Sequence, residues 1–122
     1  MSVLALKEPP SASPASRDGA IDLAHLSRMT LGERTLEREV LALFIRQAEI
    51  LQQRMDVASP AISAAAAHTI KGSAVGIGAW RVARAAEAVE QSSAVELTGA
   101  LDALNAAIAE ASVAIAALLR TH

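Results

Sequence analysis

A chain of 122 residues has room for one domain, so a nucleotide-binding kinase core beside a separate regulatory module is excluded. Apolar residues make up 52% and aromatics only 2%, with 29 alanines, one Trp, one Phe and no Tyr, so any core must be built from aliphatic side chains and alanine, a helical bias. A formal net charge of −2 and two aromatics exclude a nucleic-acid surface, and the absence of cysteine removes disulfides, thiolate metal sites and thiol nucleophiles.

Residues 1–19 read as a flexible tail. The apolar start, residues 1–6, is too short for a secretory signal, and residues 7–19 carry three of the four prolines among small polar residues. Residues 20–122 read as one helical unit. Asp22 is placed to N-cap a short helix that holds Leu23 and Leu26 and ends near Met29. Thr30 and Glu33 have capping-box spacing and open a longer helix, in which Leu36, Val40, Leu43, Phe44, Gln47, Leu51 and Met55 form one stripe.

Ser59 and Pro60 mark the next start, Ser as cap and Pro in the first turn. That third helix runs to about Val75 with Ile62, Ala66, Thr69, Ile70 and Ser73 on one face, and Gly76, Ile77 and Gly78 break it. A fourth helix from about Ala79 to Gln91 buries Val82, Ala85, Ala86 and Val89. Ser93 and Glu96 offer a second capping box for the last helix. There Leu97, Leu101, Leu104, Ile108, Ala111, Ile115 and Leu118 recur in steps of four and three, a row that packs against helices inclined by about 20°. The expected fold is all-α: an antiparallel four-helix bundle with a short additional N-terminal helix. The most apolar stretch is interrupted by Glu110, so no membrane span is expected and the chain reads as a cytoplasmic monomer.

A bundle can be inert, so function has to come from polar residues that packing does not explain. His25 and His122 read as solvated surface groups. His68 is different: it lies mid-helix on the face opposite Ile62, Ala66 and Ile70, with Ala61, Ala64, Ala65, Lys71, Gly72 and Val75 as neighbours at helical spacing. An imidazole therefore stands on a shallow surface of small residues with one cation beside it. Lys71 places an ammonium about 5–6 Å away at Cβ, in reach of charge developing on the ring; taken alone it is an ordinary surface lysine. Gly72 is costly in a helix, roughly 0.5–1 kcal/mol relative to alanine. Either a visiting group must approach there, or the glycine relieves crowding between helices, or it begins to loosen the helix.

The run His68, Thr69, Ile70, Lys71, Gly72, Ser73, Ala74, followed by Gly78, Ala79 and Glu90, resembles the signature of the histidine-containing phosphotransfer (HPt) family of bacterial and fungal phosphorelays. Ile21, Asp22, Leu26 and Phe44 also fall at family cap and core positions, and the resemblance covers roughly residues 20–118. It implies that His68 is phosphorylated, that Lys71 stabilises the phosphoryl group, and that Gly72, with Ala61, Ala64, Ala65 and Val75, lies on the face that meets a receiver. Val82 and Val89 stand where bulkier leucine is usual, and Trp80 follows Gly78 and Ala79; these departures bear on partner preference.

The family also places a polar residue of the following helix against the imidazole. A hairpin turning near Ile77 and Gly78 brings Glu87 and Glu90 opposite His68, and Glu90 sits at the edge of the buried row. The alternative is that both glutamates are solvated and Glu87 pairs with Arg84. Trp80, with Arg81 and Arg84, either borders the docking face or closes one end of the core.

The chain has no Walker or kinase phosphate loop, no paired metal-ligating carboxylates around the histidine and no serine triad, so autokinase activity is not expected. The resemblance implies a relay. The neutral ring attacks an aspartyl phosphate on a response-regulator receiver domain and later gives the phosphoryl group to another receiver's aspartate. Mg²⁺ comes from the receiver, the chain needs no cofactor or metal of its own, and a hybrid histidine kinase is a further partner. Two other readings stay open: an adaptor that docks a receiver or kinase without carrying phosphate, and the phosphoacceptor domain of a chemotaxis-type kinase standing alone.

Overall fold

The structure, a computed structural model, describes residues 19–121. The tail reading of residues 1–19 therefore lies outside the described residues but for Gly19, and His122 lies outside them altogether. The described residues form five helices, α1 (Leu23–Met29), α2 (Arg34–Gln52), α3 (Pro60–Ile77), α4 (Trp80–Glu90) and α5 (Leu97–Thr121), and no strand. α3 packs on α4, α4 on α5, α5 on α2 and α2 on α3, closing a ring of four, and α1 lies against α3. This is the four-helix bundle with an added N-terminal helix that the periodicity indicates.

α5 follows its sequence pattern closely. Leu97, Leu101, Leu104, Ile108, Ala111 and Ile115 are buried, and Leu118 is half-buried and packs against the same core. Ahead of it the capping box forms reciprocally: the Ser93 amide donates to Glu96 Oε1 at 2.9 Å, and the Glu96 amide donates to Ser93 Oγ at 3.4 Å. One expectation is corrected here. By length and composition α5 is apolar enough to cross a membrane despite Glu110, while its inner row forms core in the bundle.

The α3–α4 turn is set by Gly78, whose φ of 77° is left-handed. The Ala79 amide donates back to the Ala74 carbonyl at 2.8 Å and the Gly78 amide to that of Val75 at 3.3 Å, which ends α3 with its last carbonyls satisfied. Gly76 stays inside the helix, so Gly78 alone makes the break. α4 buries Val82, Ala83, Ala86 and Val89, with Ala85 half-buried.

α1 and α2 depart further from the sequence reading. Asp22 caps α1 as expected, its Oδ1 accepting from the His25 amide at 3.1 Å. Thr30, however, closes α1, and its hydroxyl donates to the Leu26 carbonyl at 2.8 Å. Leu31 (φ 55°) and Gly32 (φ 74°) then turn through the left-handed region, and Glu33 precedes α2 without a side-chain cap. No capping box forms between Thr30 and Glu33 because two left-handed residues separate them. α2 is also rotated from its expected face. Glu37, Leu41, Phe44, Ala48 and Leu51 are buried, whereas Leu36 and Leu43 are exposed and Val40, Gln47 and Met55 half-buried. The apolar stripe serves two surfaces: Phe44 and Leu51 enter the core, while Leu36, Val40 and Leu43 line an open groove with Met29, Gly76 and Ile77.

α3 starts at Pro60 after Ser59, but the Ser59 side chain makes no cap. Ser63 does related work one turn on, its hydroxyl accepting from the Asp56 amide at 2.8 Å and donating to the Asp56 carbonyl at 2.9 Å. The buried face is Ser63, Ala66, Ala67, Ile70, Ala74 and Ile77. Ile62 and Thr69, expected inside, lie outside. A helix with alanine on every side gives hydropathy too little contrast to fix which way it turns.

Candidate functional site

His68 sits in the middle of α3 with its side chain 70% exposed, and the ring points away from Ala66, Ala67 and Ile70. Glu90 is the last residue of α4. The hairpin brings its carboxylate against the ring: His68 Nδ1 lies 2.8 Å from Glu90 Oε2, and Lys71 Nζ lies 2.9 Å from Glu90 Oε1. One carboxylate thus binds two groups that stand a turn apart on the neighbouring helix. Oε1 is shut off from solvent, and the Lys71 ammonium neutralises it there.

The electrostatics follow from that bridge. The hydrogen bond from Lys71 is the largest cause holding the Glu90 carboxyl below the ordinary glutamate range; partial burial opposes it and the bond from His68 adds to it. Lys71 is raised in turn, chiefly by its bond to Glu90. An ionised carboxylate can only accept, so His68 Nδ1 carries the hydrogen of the 2.8 Å bond. The lone pair of a neutral ring is then on Nε2, the nitrogen that Glu90 does not hold. Glu87, the other candidate, instead accepts from Gln91 Nε2 at 3.2 Å.

Around the ring Ala61, Ala65, Gly72 and Val75 are exposed and Ala64 is half-buried. A Cβ built on Gly72 meets nothing within 4 Å, so crowding between helices does not account for this glycine, and α3 runs on for five more residues, to Ile77, so it does not loosen the helix there. Among the described residues nothing excludes a side chain at Gly72. On the α2 side the surface continues into the apolar groove, where Ser73 Oγ donates to Gln47 Oε1 across its floor. The ring therefore has a charged wall towards α4 and an apolar trough towards α2.

The end of the hairpin holds a strap that sequence reasoning missed. The Trp80 indole donates to Asp22 Oδ2 at 2.9 Å, and its ring lies 4.8 Å from that of His25, tilted by 56°. His25 Nε2 donates to the Val75 carbonyl at 2.8 Å, so this histidine is a tie between α1 and α3 rather than a solvated group. The Asp22 amide donates to the Gly78 carbonyl at 2.9 Å. Burial alone would push the Asp22 carboxyl up, but the bonds from Trp80 and the His25 amide outweigh it and hold it low. Trp80 thereby ties the start of α4 to α1, while Arg81 pairs with Glu110 of α5 at 2.7 Å. No local spacing links Asp22 to Trp80, 58 residues away, so only the fold reveals the strap.

A family model for the Hpt domain matches residues 39–120. The chain belongs to the HPt family. The crystal structure of histidine phosphotransferase ShpA from Caulobacter crescentus is similar to this HPt domain with a TM-score of 0.70 and 32% identity, over 84% of this chain and 93% of that one. A comparison with curated proteins returned no relative. HPt domains carry phosphoryl groups on histidine in two-component phosphorelays and meet receiver domains and kinases there, and that role is the function of this chain. Among the described residues no cluster of His, Asp and Glu is arranged to hold a metal ion.

Proposed function

We propose that His68 is the phosphoacceptor of this HPt domain and that it acts through Nε2. The observation that supports this most directly is an exposed imidazole whose Nδ1 is engaged by Glu90 at 2.8 Å while Nε2 is left to solvent. The Nε2 lone pair attacks the phosphorus of a receiver's aspartyl phosphate, a P–N bond forms, and the P–O bond to the aspartate breaks to leave its carboxylate. Positive charge appears on the ring as the bond forms, and the Glu90 carboxylate, already in contact with Nδ1, stabilises it without reorganising. Lys71 lies one turn away, and its ammonium moves from Glu90 towards the arriving phosphoryl oxygens. The return step, to a second receiver's aspartate, is the reverse.

The chain holds no nucleotide loop, so phosphate comes from a partner rather than from ATP, and Mg²⁺ belongs to the receiver. The face that meets the receiver is Ala61, Ala65, Gly72 and Val75 with the adjoining groove, whose small side chains let a receiver's backbone come close. A relay between receiver domains supports a cytoplasmic location for the chain.

The test uses a receiver charged with labelled acetyl phosphate. Label is expected to move to this protein, to be acid-labile and base-stable, and to be absent in His68→Gln. A receiver that binds the chain without passing its phosphate would show the adaptor reading to be the right one.

A further inference from the structure

α5 carries a second apolar row that the bundle does not use. Asp102, Ala106, Ala109, Val113, Ala116 and Arg120 recur in steps of four and three, the spacing of the inner row, and all six are exposed, Val113 at 72%. At about 100° per residue this row lies roughly 140° around the helix from the buried one, so it faces away from the core. The excess of apolar surface is why α5 is apolar enough for a membrane span although only 28% of its most apolar window is buried.

We propose that this row is the interface of a homodimer, in which α5 of one copy packs antiparallel to α5 of a second about a two-fold axis level with Ala111. The row is complementary to its own reverse. Turned end over end, Asp102 faces the second copy's Arg120, Ala106 faces its Ala116 and Ala109 faces its Val113. Opposite charges therefore meet at both ends and small side chains between them. A two-fold pairing requires this self-complementarity, and alternating steps of four and three are the spacing of a helix–helix seam. Alanine at the inner layers lets the two axes come to the short end of the usual 8–10 Å range. Glu110 flanks the axis, and its charge is taken up within its own chain by Arg81 at 2.7 Å.

A lipid surface is the other occupant that such a face suggests. It would have to accept Asp102, Glu110 and Arg120 beside the alanines, whereas a second copy pairs the two end charges. A monomer is what the inner row alone implies; the outer row is the reason to depart from it. α5 packs on α4 and α2 and stands across the ring from α3, so pairing leaves both His68 rings on the outer sides of the dimer. The dimer does not depend on His68 being the phosphoacceptor, and transfer and self-association are read separately.

Sedimentation velocity over a concentration series tests it, with circular dichroism as the check on folding. The native chain is expected to pass from monomer to dimer as concentration rises. Val113→Glu, Asp102→Arg and Arg120→Asp each lose the dimer with helicity unchanged, since all three sites are exposed. The double variant Asp102→Arg/Arg120→Asp restores the end pairing and regains it. A chain that is monomeric at every concentration overturns the proposal, as does a dimer indifferent to Val113→Glu or a double variant no better than the singles. A monomer that floats with phosphatidylcholine vesicles gives the face to lipid instead.

Discussion

Glu90 has two carboxylate oxygens and a different partner on each, which makes it the residue whose replacement separates roles. Glu90→Ala removes a charge-assisted bond to the ring, and transfer from a charged receiver is expected to slow about 10- to 100-fold, the range of a lost bond of about 1.5–3 kcal/mol. Glu90→Gln keeps an acceptor for Nδ1 without the charge and falls between the two in a rapid-quench measurement. The depressed Glu90 carboxyl also fixes a pH dependence. Its pairing contributes to stability above the ordinary glutamate range and is lost as pH falls through the lower value at which it protonates in the folded chain. The gap in urea midpoint between the native chain and Glu90→Gln is therefore expected to hold at neutral pH and to close in acid.

Gly72 separates stability from function more sharply. Its Cβ position is empty space, so Gly72→Ala is expected to raise stability by roughly 0.5–1 kcal/mol and to lower the rate of transfer. A variant that is more stable and equally fast would leave no visitor to explain the glycine. His68 and Lys71 stand out in the sequence as polar residues on an alanine surface, and Gly72 as a helix glycine, whereas Glu90 was there only one of two glutamates that the hairpin brings opposite the ring. The sharing of Glu90 between His68 and Lys71 was not legible, since helical spacing puts Lys71 beside the ring without saying which oxygen draws its ammonium.

At the level of elements, the strap at the α3–α4 turn matters most, because it fixes where α4 begins and so where Glu90 ends. A Cβ on Gly78 would lie 2.9 Å from Asp22 Cβ and from the Asp22 carbonyl oxygen, at a backbone φ of 77°. Gly78→Ala is therefore expected to destabilise the chain by roughly 1–3 kcal/mol, read from its urea midpoint, and to slow transfer as the hairpin shifts. Asp22→Ala loses a helix cap and the partner of the Trp80 indole at once, about 1–2 kcal/mol, with a change in tryptophan fluorescence. The elements whose ends were legible have local chemistry at those ends, as Ser93 with Glu96 and Asp22 with the His25 amide. The misplaced start at Thr30 has the same residue types at the same spacing, and only the left-handed turn through Leu31 and Gly32 separates a real box from an accidental one. The faces of α2 and α3 were not legible in full, because α2 divides its apolar residues between core and groove and α3 is alanine nearly all round.

For the molecule as a whole, the ring of four helices follows from α5, whose row of large aliphatic residues has one possible inside. The α3–α4 contact is built from small residues instead, Ala66, Ala67 and Ala74 on one helix and Ala83 and Ala86 on the other. That closeness lets a side chain as short as glutamate reach from α4 to two residues of α3. Ala86→Leu, at a site with no exposure, is expected to cost about 1–3 kcal/mol by overpacking and to weaken transfer by forcing the hairpin apart. Leu104→Ala, equally buried but remote from that contact, is expected to cost about 2–5 kcal/mol while leaving transfer at native rate in the folded fraction.

A ring whose Nδ1 is held by Glu90 offers both partners the same single nitrogen, Nε2. Donor and acceptor must then take turns at the same doorway and never meet across the histidine. Turnover should show the parallel double-reciprocal lines of a ping-pong scheme, with surplus unphosphorylated donor competing against the acceptor. The traffic through the pathway would be set as much by how promptly a spent regulator departs as by how fast a loaded one arrives.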